Sequence, residues 1–214
     1  MRQEDLQRVR PGFEDPVIGS QAVFRQALQA LSMPGRPLEL SVPAQRPAQG
    51  HGAAALLLLA LLDSDCSLWL SSSLAGSDAQ AWLQFHTGCR CVPDPAQAQF
   101  LWLAAGDAWP ALGTMNAGSD EYPDQSATCV MEVTEVMEAA ELPTESGQGW
   151  RLQGPGIDGQ HQLGVQGLPQ DFAQQWAGNQ ASFPRGVDLF LATPTQLVGL
   201  PRSTQLLPTP TVEA

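Results

Sequence analysis

Apolar residues at helical spacing (Val23, Phe24, Ala27, Leu28, Leu31) predict a first helix, with Ser20 as its cap and Pro34-Gly35 as its stop. The stretch "RPLELSVPAQRP" reads as extended and turn-rich. The run Ala53 to Leu62 has no polar face at all and predicts a helix buried all round. "CSLWL" and Ala98 to Ala105 read as short buried strands. Between them, Ser77 and Gln80 have capping-box spacing and open a helix through Trp82, Leu83 and Phe85. Residues 106–125 are rich in Gly, Asp and Pro and read as a long loop. "SATCVMEVTEV" sets Cys129, Met131 and Val133 against Val130 and Glu132 with the period of a strand. "GWRLQGPGI" reads as a strand entering a turn, and Pro169 to Ala177 as a helix carrying Phe172 and Trp176 on one side. "VDLFLA", "TPT" and "QLVGLP" form a hairpin with a short loop. Helices alternate with strands early and strands cluster late. The expectation is one α/β domain over residues 1–214, a mixed sheet with packed helices.

Composition narrows the function classes. The chain carries a formal charge of −12, with ten Arg and no Lys. Non-specific nucleic-acid binding and attachment to an anionic membrane both need a surplus of cations, so neither is expected. The apolar run at Ala53 is too short for a bilayer, which takes about 20 residues. "MRQEDLQRVRPGFEDP" lacks the apolar core of a secretory signal. A cytoplasmic protein with reduced thiols at Cys66, Cys89, Cys91 and Cys129 is therefore expected.

Most chemical motifs fail on inspection. "GPGIDG" (154–159) matches a dinucleotide fingerprint literally, but Pro155 removes an N–H and no helix start follows, so it reads as a tight turn. The absence of Lys excludes a P-loop lysine and a pyridoxal-phosphate aldimine. In "FHTGCRCVPDP", His86, Cys89 and Cys91 are zinc-ligand types that would need Cys129 or His161 as a fourth donor. Small buried thiols and a His at a helix end are the favoured reading, with no metal expected. Asp120, Glu121 and Asp124 read as a solvated turn. Asp188 interrupts an apolar strand and needs a partner, with Arg185, Arg202 and backbone N–H groups as candidates. The steps Pro184-Arg185 and Pro201-Arg202 bracket the hairpin and should meet at one of its ends.

"FRQALQALSMPGRP", "LLLALLDSDCSLWL", "LQFHTGCRCVPDPAQAQF", "GSDEYPDQSATCVMEV", "LQGPGI" and "FPRGVDLFLATPTQLVGLPRST" occur in this order. Each block alone is modest. The ordered set, from about Phe24 to Thr204, resembles the PhnH family, a subunit of the bacterial carbon–phosphorus lyase core complex. Ser203 stands where relatives often have Thr and keeps the hydroxyl. Residues 1–19 and 205–214 fall outside the resemblance and read as variable termini.

The resemblance implies a fold like that of pyridoxal-phosphate-dependent transferases without the cofactor. It also implies PhnG, PhnI and PhnJ as partners, and a homodimer in isolation. The system's implied reaction displaces adenine from ATP by an alkylphosphonate, giving a ribose 1-phosphonate 5-triphosphate, before a separate radical subunit cleaves the carbon–phosphorus bond. No residue of this chain inherits a catalytic role.

Three functions follow as expectations. The first is a supporting, non-catalytic subunit that docks through an exposed edge, with the hairpin Val187 to Pro201 as the candidate strand. The second is a stand-alone anion- or nucleotide-binding enzyme using Arg90, Arg185, Arg202 and His86. The third is a metal or redox module at Cys89, Cys91 and His86.

Overall fold

The computed structural model describes residues 11–138 and 148–208. The outermost parts of the variable termini lie outside that range. In chain order the elements are α1 (Pro16–Ser32), β1 (Leu38–Glu39), α2 (Gly52–Leu61), β2 (Ser67–Leu70), α3 (Asp78–Thr87), β3 (Arg90–Cys91), β4 (Phe100–Leu103), β5 (Thr128–Glu132), β6 (Glu135–Glu138), β7 (Gln148–Gln153), β8 (His161–Gln166), α4 (Phe172–Ala181), β9 (Asp188–Ala192), β10 (Gln196–Leu200) and β11 (Gln205–Pro208).

Seven strands form one sheet in the order β1-β10-β9-β5-β4-β2-β3, and four form a second, β11-β7-β8-β6. The large sheet is mixed. From β9 through β5, β4 and β2 to β3 the strands run parallel, whereas β10 is antiparallel to both β9 and β1. The small sheet is antiparallel throughout. The expected α/β fold with a mixed sheet and packed helices is what the chain adopts.

Alternation along the central strands divides the core. Trp102, Val130, Phe190, Ala192 and Leu197 face α1, α2 and α3. Leu101, Leu103, Cys129, Met131, Leu189 and Leu191 face the small sheet and α4, where Trp150, Leu163, Phe172 and Trp176 cover them. Central strands covered on both faces have no solvent side to advertise. The polar positions of "TCVME" therefore do not mark an exposed face: Glu132 is 3 % exposed.

The hairpin Val187 to Pro201 forms as expected, with Thr193 to Thr195 as its loop, but it is not an edge. β10 is covered by β1, and β9 lies between β10 and β5. Two strands escaped the sequence reading: β8 follows the "GPGIDG" turn and pairs with β7 and β6, and β11, in the stretch read as a variable terminus, pairs with β7. In that turn Gly156 and Gly159 have φ of 83° and 68°, as a hairpin connection requires.

The first helix begins a turn earlier than expected. Pro16 occupies its first position, and the Asp15 carboxylate accepts hydrogen bonds from Val17 N and Ile18 N at 3.0 Å each. Ser20 lies within the helix. Its buried face is also rotated, to Gly19, Val23, Ala27 and Ala30, leaving Phe24 46 % and Leu28 53 % exposed. Close approach of backbones explains the preference for small residues. A Cβ on Gly199 of β10 would lie 2.5 Å from the Ala30 carbonyl carbon and oxygen. Asp15→Ala is expected to lower stability by about 1 kcal/mol, read as an earlier thermal midpoint, because it orphans two N–H groups at the helix start.

Candidate functional sites at the two ends of the large sheet

The Arg202 guanidinium is fully engaged at the start of β9. Nε donates to Asp188 Oδ1 at 3.1 Å, Nη1 donates to the carbonyls of Pro123 at 2.7 Å and Pro184 at 3.3 Å, and Nη2 donates to Ser126 Oγ and Asp188 Oδ2. The backbone N–H of Arg202 also donates to Asp188 Oδ1 at 2.8 Å. The Asp188 carboxylate thus receives a bidentate fork, the geometry that favours Arg over Lys. Arg202 joins three segments: the 117–126 loop, the 182–186 turn and the hairpin.

Arg185 sits on the same side of the molecule. Its Nε lies 2.9 Å from Asp120 Oδ1, with both side chains largely exposed. Arg185 and Arg202 are therefore together at one end of the hairpin, as the strand lengths required. Asp188 has Arg202, not Arg185, as its partner.

His86 and Arg90 are elsewhere. His86 occupies the last turn of α3 and packs edge-on against Trp82 and Phe85, at centroid distances of 5.2 Å and 5.0 Å. Arg90 opens the edge strand β3 and is exposed. The register aligns Asp188, Thr128, Phe100, Leu68 and Cys91 across five strands. Four strand spacings of about 4.8 Å put the Arg202 node about 19 Å from β3. The four basic candidates form two separate groups.

The cysteines beside Arg90 are free. Interaction between the neighbouring thiols lowers Cys89 to about 7 and raises Cys91. Burial pushes the Cys129 thiol up. Cys89 is 3 % exposed and packs into the helical core, the place of a small apolar side chain. Among the described residues no group of three or more His, Cys, Asp or Glu is arranged to hold a metal. His161 is far from this cluster in the fold: its Nε2 is 3.2 Å from the Gly35 carbonyl oxygen.

The opposite end of the sheet, at the carboxyl ends of the parallel strands, holds a buried carboxylate that sequence reasoning missed. Glu132 ends β5 beneath the start of α2. It accepts hydrogen bonds from His51 N, from Trp102 Nε1 at 2.8 Å and from Ala105 N at 3.2 Å. His51 Nε2 lies 3.9 Å from Oε2, and its Nδ1 is 3.0 Å from the Ala192 carbonyl oxygen. Gly50 makes the approach feasible: it has φ of 83°, and a Cβ there would lie 2.3 Å from Trp102 Cζ2. The available signal was Glu132 inside an otherwise apolar strand, the same cue that singled out Asp188.

On the small-sheet side of this end lies a cavity of about 510 Å³. Its floor is Met131, Leu112 and Phe172, its walls include Trp109 and Leu168, and Asp107 and Asp171 stand beside it. Gln175 links two walls, accepting from Leu112 N at 2.9 Å and donating to Asp171 Oδ2 at 2.8 Å. Ser73 N and Oγ each donate to Asp107 Oδ2 at 2.9 Å. Hydrogen bonds from Ser71, Ser72 and Ser73 hold the Asp107 carboxyl below its usual range, against a raising effect of burial that is the largest single influence.

The arrangement is an α/β scaffold whose cations at one end are spent on its own chain and whose open cavity at the other end is acidic. The sequence profile described as bacterial phosphonate metabolism protein (PhnH) matches residues 11–207. A protein of Rhizobium meliloti (strain 1021) named alpha-D-ribose 1-methylphosphonate 5-triphosphate synthase subunit PhnH is 37% identical over 194 residues, covering 91% of this chain and 93% of the relative. The putative C-P lyase subunit protein HtxG of Stutzerimonas stutzeri is 35% identical over 190 residues, covering 87% and 85%. The chain belongs to the PhnH family of bacterial phosphonate metabolism proteins.

Proposed function

We propose that this chain is a supporting subunit of a carbon–phosphorus lyase core complex in phosphonate breakdown. In this reading the complex displaces adenine from ATP by an alkylphosphonate, giving a ribose 1-phosphonate 5-triphosphate, and this subunit holds no catalytic residue of that step. PhnG, PhnI and PhnJ are its partners, it pairs with itself in isolation, and it works in the cytoplasm. Among the described residues no helix is long and apolar enough to cross a membrane. The fold is proposed to be that of pyridoxal-phosphate-dependent transferases put to a use without the cofactor, since a chain with no Lys cannot form an aldimine.

One observation carries the supporting role: relatives that match along nearly the whole chain are named as subunits. The geometry agrees with it, because Arg202 spends its fork on Asp188, Ser126 and two carbonyls rather than on a ligand. A free-standing anion site on Arg90, Arg185, Arg202 and His86 is the weaker proposal, because it would have to be two sites about 19 Å apart.

The test is reconstitution. PhnG, PhnI and PhnJ from the same organism, supplied with ATP and methylphosphonate, should form the triphosphate product by phosphorus NMR only when this chain is added. Equal product without it would overturn the reading. Heat from ATP or methylphosphonate binding to the isolated chain in calorimetry, lost in Arg90→Ala, would favour the anion-site alternative.

A further inference from the structure

The cavity beside Met131 and Phe172 has a chemistry that its role in the fold does not require. Its floor is apolar, while Asp107 is half-buried and Asp171 exposed at its margin. Among the described residues lining it there is no Lys, Arg or His. A phosphate, phosphonate or triphosphate would meet two carboxylates and no counter-charge, on a chain that already carries −12. Such ligands are excluded on Coulombic grounds. A basic group is favoured by the same field.

Size and shape select the kind of basic ligand. About 510 Å³ exceeds what one side chain fills, and Gly106, Ala108, Ala111 and Gly167 along its margin are exposed. Pockets for small molecules bury 70–90% of the ligand, roughly, and need a roof. A margin of exposed small residues instead lets a chain segment lie across the mouth and drop an anchor inside. Trp109 is fixed in place: its Nε1 donates to the Ala104 carbonyl at 2.8 Å, leaving the indole half-exposed as a wall. A preset aromatic wall, an apolar floor and a charged margin are the features of a pocket that receives an anchor residue.

We infer that this cavity is the socket for a basic segment of another core-complex subunit, an apolar or aromatic anchor flanked by Lys or Arg. The anchor packs on Trp109, Leu112 and Phe172, and the flanking cation faces Asp107 and Asp171. The inference rests on the complex-subunit reading above and adds to it the surface and the chemistry of the contact.

The test uses the chain co-expressed with PhnG, PhnI and PhnJ. Ala108→Arg and Ala108→Glu change one exposed marginal residue and leave the fold's hydrogen bonds intact. Capture of the three subunits is measured by quantitative mass spectrometry at low and at moderate salt. Ala108→Arg is expected to reduce capture at least tenfold. Ala108→Glu is expected to match or exceed the unaltered chain, and raising salt should weaken capture by the unaltered chain. Capture reduced equally by both substitutions would remove the basic character of the partner and overturn the proposal, as would capture unchanged in Ala108→Arg. Should the unaltered chain capture none of the three subunits, the complex-subunit reading itself falls. Trp109→Ala serves as a second probe, expected to lower capture at least fivefold while the variant still unfolds cooperatively, at a midpoint lowered by the lost packing and the lost Ala104 hydrogen bond.

Discussion

Replacing Arg202 by Ala is expected to lower stability by about 3 kcal/mol, since removing one partner of a buried pair strands the other charge. For a chain of this size that is a fall of about 6–12 °C in the thermal midpoint. The magnitude follows from burial. The Arg202 and Asp188 side chains are only 14% and 23% exposed, so the abandoned carboxylate would keep only the Arg202 N–H among its present donors. The carbonyls of Pro123 and Pro184 would lose their Arg202 donor as well, and the two loops would be held together only by the Gly186 N–H to Ala117 carbonyl bond and the Arg185–Asp120 pair. A double variant, Arg202→Met with Asp188→Leu, should recover much of the loss, because it removes the charge along with its partner. A single variant within 2 °C of the unaltered protein, by calorimetry, would show that the node is peripheral to stability.

Glu132→Ala is expected to cost more, about 4 kcal/mol, from three unpaired N–H groups and the cavity left behind. The donors are His51 N, Trp102 Nε1 and Ala105 N, and they belong to the start of α2, to β4 and to the loop after it. One carboxylate therefore registers three segments against the end of β5. Glu132→Gln keeps an acceptor for part of this set and should recover part of the loss. A thermal midpoint reduced by about 8–16 °C in Glu132→Ala, with a smaller fall in Glu132→Gln, is the expected pattern. Equal midpoints for all three proteins would mean that water substitutes for the side chain at no cost.

The two carboxylates illustrate what the sequence makes legible. Asp188 stands in an apolar strand beside two Arg of a chain that has few, so a partner was foreseeable, and the hairpin geometry narrowed the choice. Glu132 stands in the same kind of context, but its partners are backbone and indole N–H groups, and no composition or spacing announces those. The elements themselves were largely readable: the polar-free run that became α2, the Ser77 cap of α3 and the hairpin. α1 was misread in phase because periodicity weighs large side chains, whereas packing against Gly199 selects small ones. β8 was missed because "HQLGVQ" has few apolar residues and gains its order by pairing on both sides. The edge role of the hairpin was misread because strand order is a tertiary property that local pattern does not carry.

The cations the sequence singled out are distributed over two places, and at one of them Arg185 and Arg202 serve the chain's own carboxylates. The cavity beside Met131 and Phe172 has an acidic margin and no Lys, Arg or His among its described lining residues. Both features agree with the proposed supporting role.

The most direct measurement is affinity capture of the tagged chain from its native host grown on methylphosphonate as sole phosphorus source, with co-purifying chains quantified by mass spectrometry. The account predicts PhnG, PhnI and PhnJ in fixed ratio to this chain. Recovery of the chain alone, under conditions in which the pathway is induced, would contradict it.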